Sequence, residues 1–202
     1  MAARLADPDA ILYYNDYNTD NSGRANLIRD MVVDVNNRYL ALPDAQKPDG
    51  ERTGQENEGR LLIEGIGMQE HHNLGVSANS IRTTITKFRN MTFTGSSRKI
   101  RLSVSELDVI AFPSYSAFST AGGQGAGKDQ NSSAPKDSAL ITQANLYGDY
   151  MKLYIANADI IERVSLWGIT DDTSWRSVGR PLLFDRHGMT KPAYYKFVGA
   201  LP

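Results

Sequence analysis

Apolar and polar residues alternate through Ile100, Arg101, Leu102, Ser103, Val104 and Ser105. A period of two is the mark of a strand. The parity of Ile100, Leu102 and Val104 runs on to Glu106 and Asp108, so the pattern predicts two carboxylates leaving one face at the end of a strand. An apolar strand that finishes in acids has reached either solvent or a site, and this fragment leaves both readings open. In a parallel β/α barrel, catalytic residues gather at the C-terminal strand ends.

The same kind of unit recurs along the chain. An apolar, aromatic run at 10–14 stops in the polar cluster 15–23, and Ile28, Met31, Val32, Val35 and Tyr39 then fall at helical spacing before Pro43. A polar connection at 43–59 leads to a second strand at 61–67 that continues towards Asn73. Ile81, Ile85 and Phe88 mark the next helix, with Ser77 or Asn79 as its cap. After the strand that carries Glu106, residues 113–137 are rich in Ser, Gly and Ala and read as a flexible loop. The glycines before Lys128 do not have phosphate-loop spacing, because Asp129 follows the lysine. A third helix from about Ser138 puts Tyr147, Tyr150, Met151, Tyr154 and Ile155 on one side, an aromatic stripe that reads as core. A fourth strand at 160–168, a polar loop at 169–180 and a closing helix at 191–200, opened by Pro192, complete the pattern. Four β/α units imply a parallel sheet, with two outer strands that expose unpaired edges and apolar faces.

Composition narrows the functional classes. The chain has 202 residues, 41% hydrophobic and 22% charged, and a net charge of -1, which fits one soluble domain spanning 1–202. No cluster of Lys and Arg offers a footprint for nucleic acid or an anionic membrane. The absence of Cys excludes disulfides and thiolate chemistry. The first eight residues lack the apolar core of a signal peptide, and no apolar run reaches membrane-spanning length.

Each strand ends in chemistry. The clusters are Asn15-Asp16-Tyr17-Asn18, Gln69-Glu70-His71-His72, Glu106-Leu107-Asp108, and Trp167-Gly168 with Asp171, Asp172 and Trp175. Carboxylates, amides, imidazoles and indoles on one rim suit a carbohydrate, since indole faces pack on sugar C–H faces and polar groups satisfy the hydroxyls. Taken singly, His71 reads as a hydrogen-bonded structural histidine and Trp167 as a core residue; His72 and His187 read as ordinary surface or loop residues. Adjacent histidines on an extended chain point to opposite faces, and no third ligand has recognisable spacing, so no metal or other cofactor is expected.

In these motifs the chain resembles the family 10 glycoside hydrolases, whose usual activity is endo-1,4-β-xylanase. The resemblance runs in order through Leu12-Tyr13-Tyr14-Asn15-Asp16-Tyr17-Asn18, Gly65-Ile66-Gly67-Met68-Gln69-Glu70-His71, Ser105-Glu106-Leu107-Asp108, Trp167-Gly168-Ile169-Thr170-Asp171, Ser174-Trp175, Pro181-Leu182-Leu183-Phe184-Asp185 and Lys191-Pro192-Ala193-Tyr194-Tyr195. It covers nearly the whole chain. It implies that Glu106 is the nucleophile of a retaining enzyme, that His71 hydrogen-bonds it and that Asp108 holds His71. A donor aimed at a carboxylate favours its ionised form, and the donor needs its own acceptor to fix its tautomer. The resemblance further implies that Gln69 and Trp167 line the sugar subsite at the reaction centre, that Trp175 covers it, and that Asn15, Asp16 and Tyr17 lie on the leaving-group side.

The departures shape the expectation. The family's barrel has eight strands, and the resemblance covers the last four, so the expected fold is the C-terminal half, strands five to eight, of a (β/α)8 barrel. The Asn-Glu motif that ends the family's fourth strand, whose Glu is the general acid/base, has no counterpart. A retaining glycosidase needs both carboxylates. Glu64 and Glu70 are the nearby candidates for a replacement, and Glu70 itself stands where the family usually has a small polar residue. The implied substrate is xylan or a xylo-oligosaccharide, the implied partner an N-terminal half-barrel or a second copy, and the implied setting extracellular. A carbohydrate-binding or scaffold half-barrel without turnover is the alternative.

Overall fold

In the computed structural model, which describes residues 1–120 and 135–201, every strand pairing is parallel. The strands are β1 (Tyr13–Asp16), β2 (Gly65–Met68), β3 (His71–Asn73), β4 (Arg101–Ile110) and β5 (Ile161–Leu166). β4 is central: β2 and β3 lie one after the other along one side of it and β5 along the other, while β1 pairs with β2. β2 and β3 are thus one strand interrupted at Gln69 and Glu70. The principal helices between strands are α2 (Ser22–Leu40), α3 (Ala78–Arg89) and α5 (Asp137–Ile155); α1 (Ala2–Ala6) precedes β1, and α6 (Pro192–Val198) closes the chain.

Local chemistry explains the boundaries. The Asn21 side chain accepts from the Arg24 amide to start α2, Ser77 does the same for Ser80 at the start of α3, and Pro192 opens α6. In the expected loop 113–137, residues Tyr115–Thr120 form a short helix, α4, and Asp137 begins α5. Residues 121–134, including the glycines before Lys128, lie outside the described residues.

One core unites the units. Ile28 and Val32 of α2, Ile81, Ile85 and Phe88 of α3, and Tyr147, Tyr150 and Tyr154 of α5 pack with Ile66, Met68, Leu102, Val104, Leu107 and Val109. The expected aromatic stripe of α5 is core. Asn36, buried in α2, both donates to the Ile63 carbonyl and accepts from its amide, which ties the helix to the segment entering β2.

The open face is polar, and this corrects the expectation of apolar faces. Tyr13 Oη and Arg101 Nη1 both donate to Glu162, at 2.6 and 2.7 Å, so side chains of β1, β4 and β5 meet across the sheet and make this its concave side. Tyr13 crosses β2 over Gly65, where a Cβ would come within 2.2 Å of the tyrosine ring. Positions on this concave side hold polar side chains and glycines rather than the branched residues of the helix-covered face.

The strand parity also needs correction. Leu102, Val104, Leu107 and Val109 all join the core, and the pairing of β4 with β5 shifts between Val104 and Leu107. A bulge at Ser105 and Glu106 therefore resets the alternation. Glu106 and Asp108 do share a face, but it is the concave face opposite Leu102 and Val104.

Candidate active site

The bulge is what delivers the carboxylates. Glu106 meets two nitrogens: Asn15 Nδ2 donates to its Oε1 at 3.0 Å, and His71 Nε2 lies 3.1 Å from its Oε2. The other imidazole nitrogen, Nδ1, is 2.9 Å from Asp108 Oδ2. The two nitrogens thus link a partly exposed carboxylate to a buried one. Asn15 is itself oriented by Ser105, whose hydroxyl donates to Asn15 Oδ1 at 2.7 Å. Bulging brings Ser105 and Glu106, consecutive residues, onto the same asparagine.

Asp108 is held from three directions. Besides His71, Trp175 Nε1 donates to Oδ2 at 3.1 Å, and Arg176 Nη1 donates to Oδ1 at 2.7 Å. Arg176 and Asp108 are both fully buried, so this is a desolvated ion pair. The guanidinium sits against the rings of Tyr115, Phe118 and Trp175 at 4.8–5.8 Å from their centroids. Tyr115 in turn donates its hydroxyl to the His71 carbonyl. Arg176, Tyr115 and the Asn15 contact with Glu106 were not foreseen from the sequence. A lone arginine or tyrosine in a polar loop carries no periodic mark, although Arg176 follows the predicted Trp175 directly.

Trp167 and Trp175 approach the His71 ring edge-on, with centroids 6.5 and 5.1 Å away, and about half of each indole is exposed, 48% and 54%. Trp167 is therefore no core residue. Gln69 sits at the interruption between β2 and β3, its amide bonded to the Asp16 carbonyl. Tyr17 is exposed, and the Arg24 guanidinium lies 5.1 Å over its ring. Together with Asn18, Asp20, Asn21 and Tyr115, these two line an open groove of about 450 Å³ beyond the end of β1.

Asp16 departs from expectation. It is turned away from Asn15 and buried, accepting from Tyr14 Oη, the Tyr17 amide and Arg24 Nη2. Burial alone would raise its pKa, but the Arg24 and Tyr14 hydrogen bonds outweigh this and hold it below 3.8. It bears on the groove through Arg24 and the Tyr17 amide. Asp171 likewise serves the loop, bonded to the Leu182 amide and to Lys191, whose Nζ also reaches the carbonyls of Arg180 and Leu182.

Neither proposed replacement acid is near Glu106. Glu64 precedes β2 at the opposite end of the sheet and is bound by Arg4 and Arg60. Glu70 is 1% exposed and bonded to Thr19, His72 and Tyr154 on the helix side. The Asn57-Glu58 dipeptide lies in the turns before β2, where Glu58 accepts from the Gly54 amide. His72 corrects a further expectation, since it is buried at 1% exposure. Among the described residues, no group of three His, Asp or Glu side chains is placed to hold a metal ion. No helix among them is long and apolar enough to cross a membrane.

Comparison with known proteins meets this geometry. The family model for glycosyl hydrolase family 10 matches residues 1–200. The chain belongs to that family. Endo-1,4-beta-xylanase A of Thermotoga maritima is 31% identical over 201 residues, covering 97% of this chain and 15% of the relative. Endo-1,4-beta-xylanase of Geobacillus stearothermophilus is 28% identical, covering 98% of this chain and 51% of the relative. Among solved family 10 structures, a xylanase from termite gut that contains a bacterial Ig-like domain is 50% identical with a TM-score of 0.83, covering 98% of this chain and 40% of that one. An intracellular xylanase of Thermoanaerobacterium saccharolyticum, a mutant in complex with xylotetraose, is 28% identical with a TM-score of 0.67, covering 96% and 46%. The family 10 chain described here thus spans from about one seventh to one half of these curated relatives. Its parallel sheet and helices form a fragment of an α/β barrel.

Proposed function

We propose that residues 1–202 form a single partial catalytic domain, strands five to eight of the barrel of a retaining endo-β-1,4-xylanase. Strands one to four are carried elsewhere on a longer polypeptide or on another chain. Glu106 is the nucleophile. The observation that carries this reading is the chain Asn15, Glu106, His71, Asp108, in which one partly exposed carboxylate is held by an amide and an imidazole and a buried acid orients the imidazole. Attack of Glu106 on the anomeric carbon forms a glycosyl-enzyme as the leaving oxygen departs with a proton. With Glu64 and Glu70 engaged elsewhere and Asp108 locked by Arg176, that proton comes from a carboxylic acid on strands one to four.

Trp167, Trp175 and Gln69 flank the sugar at the reaction centre, and Asn15 and Tyr17, the latter lining the groove, lie on the leaving-group side. The substrate is xylan or a xylo-oligosaccharide. Action on the polymer requires an extracellular setting, whereas the described intracellular neighbour is compatible with short oligosaccharides.

The nucleophile and the acid can be tested apart. Incubation with a 2-fluoro xylobioside bearing dinitrophenolate, a leaving group that needs little protonation, is expected to add one label, mapped to Glu106 by peptide mass. Xylan is expected to remain uncut until strands one to four are supplied, and then to be cleaved with retention of configuration. Label on another residue would overturn the assignment of Glu106, and xylan cleavage by this chain alone would overturn the division of the acid from the nucleophile.

A further inference from the structure

Glu70 stands at the interruption between β2 and β3, unused by the chemistry above. Its φ of 59° is left-handed, a conformation that a non-glycine residue keeps only where its surroundings hold it. β2 pairs Met68 with Val104, and β3 pairs His71 with Asp108, so three steps on one strand face four on the other. This offset sets His71 opposite Asp108. The Glu70 carbonyl accepts from the Asp108 amide at 3.3 Å, so the interruption is stitched directly to the catalytic strand.

On the helix side, the Glu70 carboxylate gathers three donors from three elements. These are Thr19 Oγ1 from the loop after β1 at 2.8 Å, His72 Nε2 from β3 at 2.7 Å and Tyr154 Oη from α5 at 3.0 Å. His72 Nδ1 lies 4.0 Å from Asp20, and the His72 ring meets Tyr150 edge-on at 5.3 Å. The consecutive histidines therefore each stand between two carboxylates on opposite faces: His71 between Glu106 and Asp108, His72 between Glu70 and Asp20.

We propose that Glu70 and His72 are positioning residues for His71, their buried contact holding the strand interruption that aims the imidazole at Glu106. This rests on the assignment of Glu106 and His71. Bending the backbone at position 70 moves His71 by its own Cα, and a displacement of about 1 Å at a reacting group costs roughly 10²-fold in rate. The groups facing His72 are Glu70, Asp20, Asp108 across the sheet, and Tyr150 and Tyr154 of α5. Burial alone would lower the His72 pKa, but the Glu70 carboxylate outweighs it and holds the value above 6.5. Burial alone would raise that of Glu70, but His72 and the Thr19 and Tyr154 hydroxyls hold it below 4.5. Both tyrosines are kept neutral, their pKa values raised by burial. Each member of the pair thus favours the charged form of the other, and the contact loosens when His72 loses its proton.

The test uses the full chain as wild type and as the variants Glu70→Gln, Glu70→Asp, His72→Gln and Tyr154→Phe. The downfield NMR signal of the His71 Nδ1 proton bonded to Asp108 reports the position of His71, and the rate of Glu106 labelling reports its consequence. Glu70→Gln and His72→Gln are expected to shift or lose the signal and slow labelling by about 10- to 100-fold. Glu70→Gln is also expected to move the alkaline limit of labelling to lower pH, because it removes the carboxylate that raises the His72 pKa, whereas His72→Gln removes that limit. Glu70→Asp restores part of both, and Tyr154→Phe, which keeps the ring, produces a smaller change of the same kind. If Glu70→Gln or, should it not fold, Tyr154→Phe leaves the signal and the alkaline limit as in wild type, the proposal is overturned even where the melting temperature drops. Wild-type label on a residue other than Glu106 refutes the functional assignment instead, and the NMR signal still reports on the pair.

Discussion

The Asn15 amide reaches Glu106 because position 67 has no side chain: a Cβ on Gly67 would lie 2.3 Å from Asn15 Oδ1. Asn15 leans across β2 in the space a side chain would fill, as Tyr13 does over Gly65. The glycines of Gly65-Ile66-Gly67 therefore act as clearance beneath side chains of the neighbouring strand. Gly67→Ala is expected to displace Asn15 from both Ser105 and Glu106 and to slow labelling of Glu106 by about 10-fold, as for loss of one charge-assisted hydrogen bond. Asn15→Ala, which removes the donor without a clash, should give a similar loss in the same assay. Wild-type rates in both variants would remove Asn15 from the account.

His71→Asn and Asp108→Asn test the link between the two carboxylates. In His71→Asn the shorter amide cannot bridge Glu106 and Asp108, and labelling is expected to slow by about 10²-fold. Far-ultraviolet circular dichroism should stay close to wild type, because Asp108 keeps its Trp175 and Arg176 donors. Asp108→Asn should slow labelling comparably and also weaken the fold, since it deprives buried Arg176 of its anion.

Arg176 is the sharper stability test. Removing one partner of a buried ion pair leaves the other charge uncompensated, so Arg176→Met is expected to destabilise by about 3–5 kcal/mol. Replacing both partners, with Asp108→Asn beside Arg176→Met, should recover part of that loss in urea titration. Full additivity of the two losses would show that the pair is not energetically coupled.

The pH dependence of stability follows from the shifted groups. Asp16 and Glu70 have folded pKa values below their ordinary 3.8 and 4.5, so the stability they contribute is complete above those values and is lost as pH falls through the lower folded ones. His72 is shifted above 6.5, so its contribution is complete below that pH and is lost as pH rises through the higher folded value. Urea midpoints measured across pH should form a plateau bounded by these limits. His72→Gln should flatten the alkaline side and, by removing the main group that lowers the Glu70 pKa, also shrink the contribution of Glu70 on the acid side.

Much of this molecule was legible in the chain itself. Alternation and helical spacing are local properties, so the four strands, the helices between them and the aromatic core of α5 could be read without the fold, and the cap of α3 could be narrowed to Ser77 or Asn79. Motifs kept in order carried the family, and with it the expectation that Glu106, His71 and Asp108 belong together, side chains that the fold brings into one hydrogen-bonded chain. What the sequence concealed depends on where distant segments meet. The bulge at Ser105 and Glu106 follows from pairing with β5, and it moved the carboxylates to the face opposite the one their parity implied. The interruption at Glu70 follows from register against β4; it turned Glu70 from a candidate acid into a buried anion and drew His72 off the surface. Arg176 gained its partner only when the loop after β5 folded back over β4. Local pattern fixes which residues can form a strand, whereas register, bulges and loop closure decide which face each side chain meets and whether a charge is buried beside its opposite.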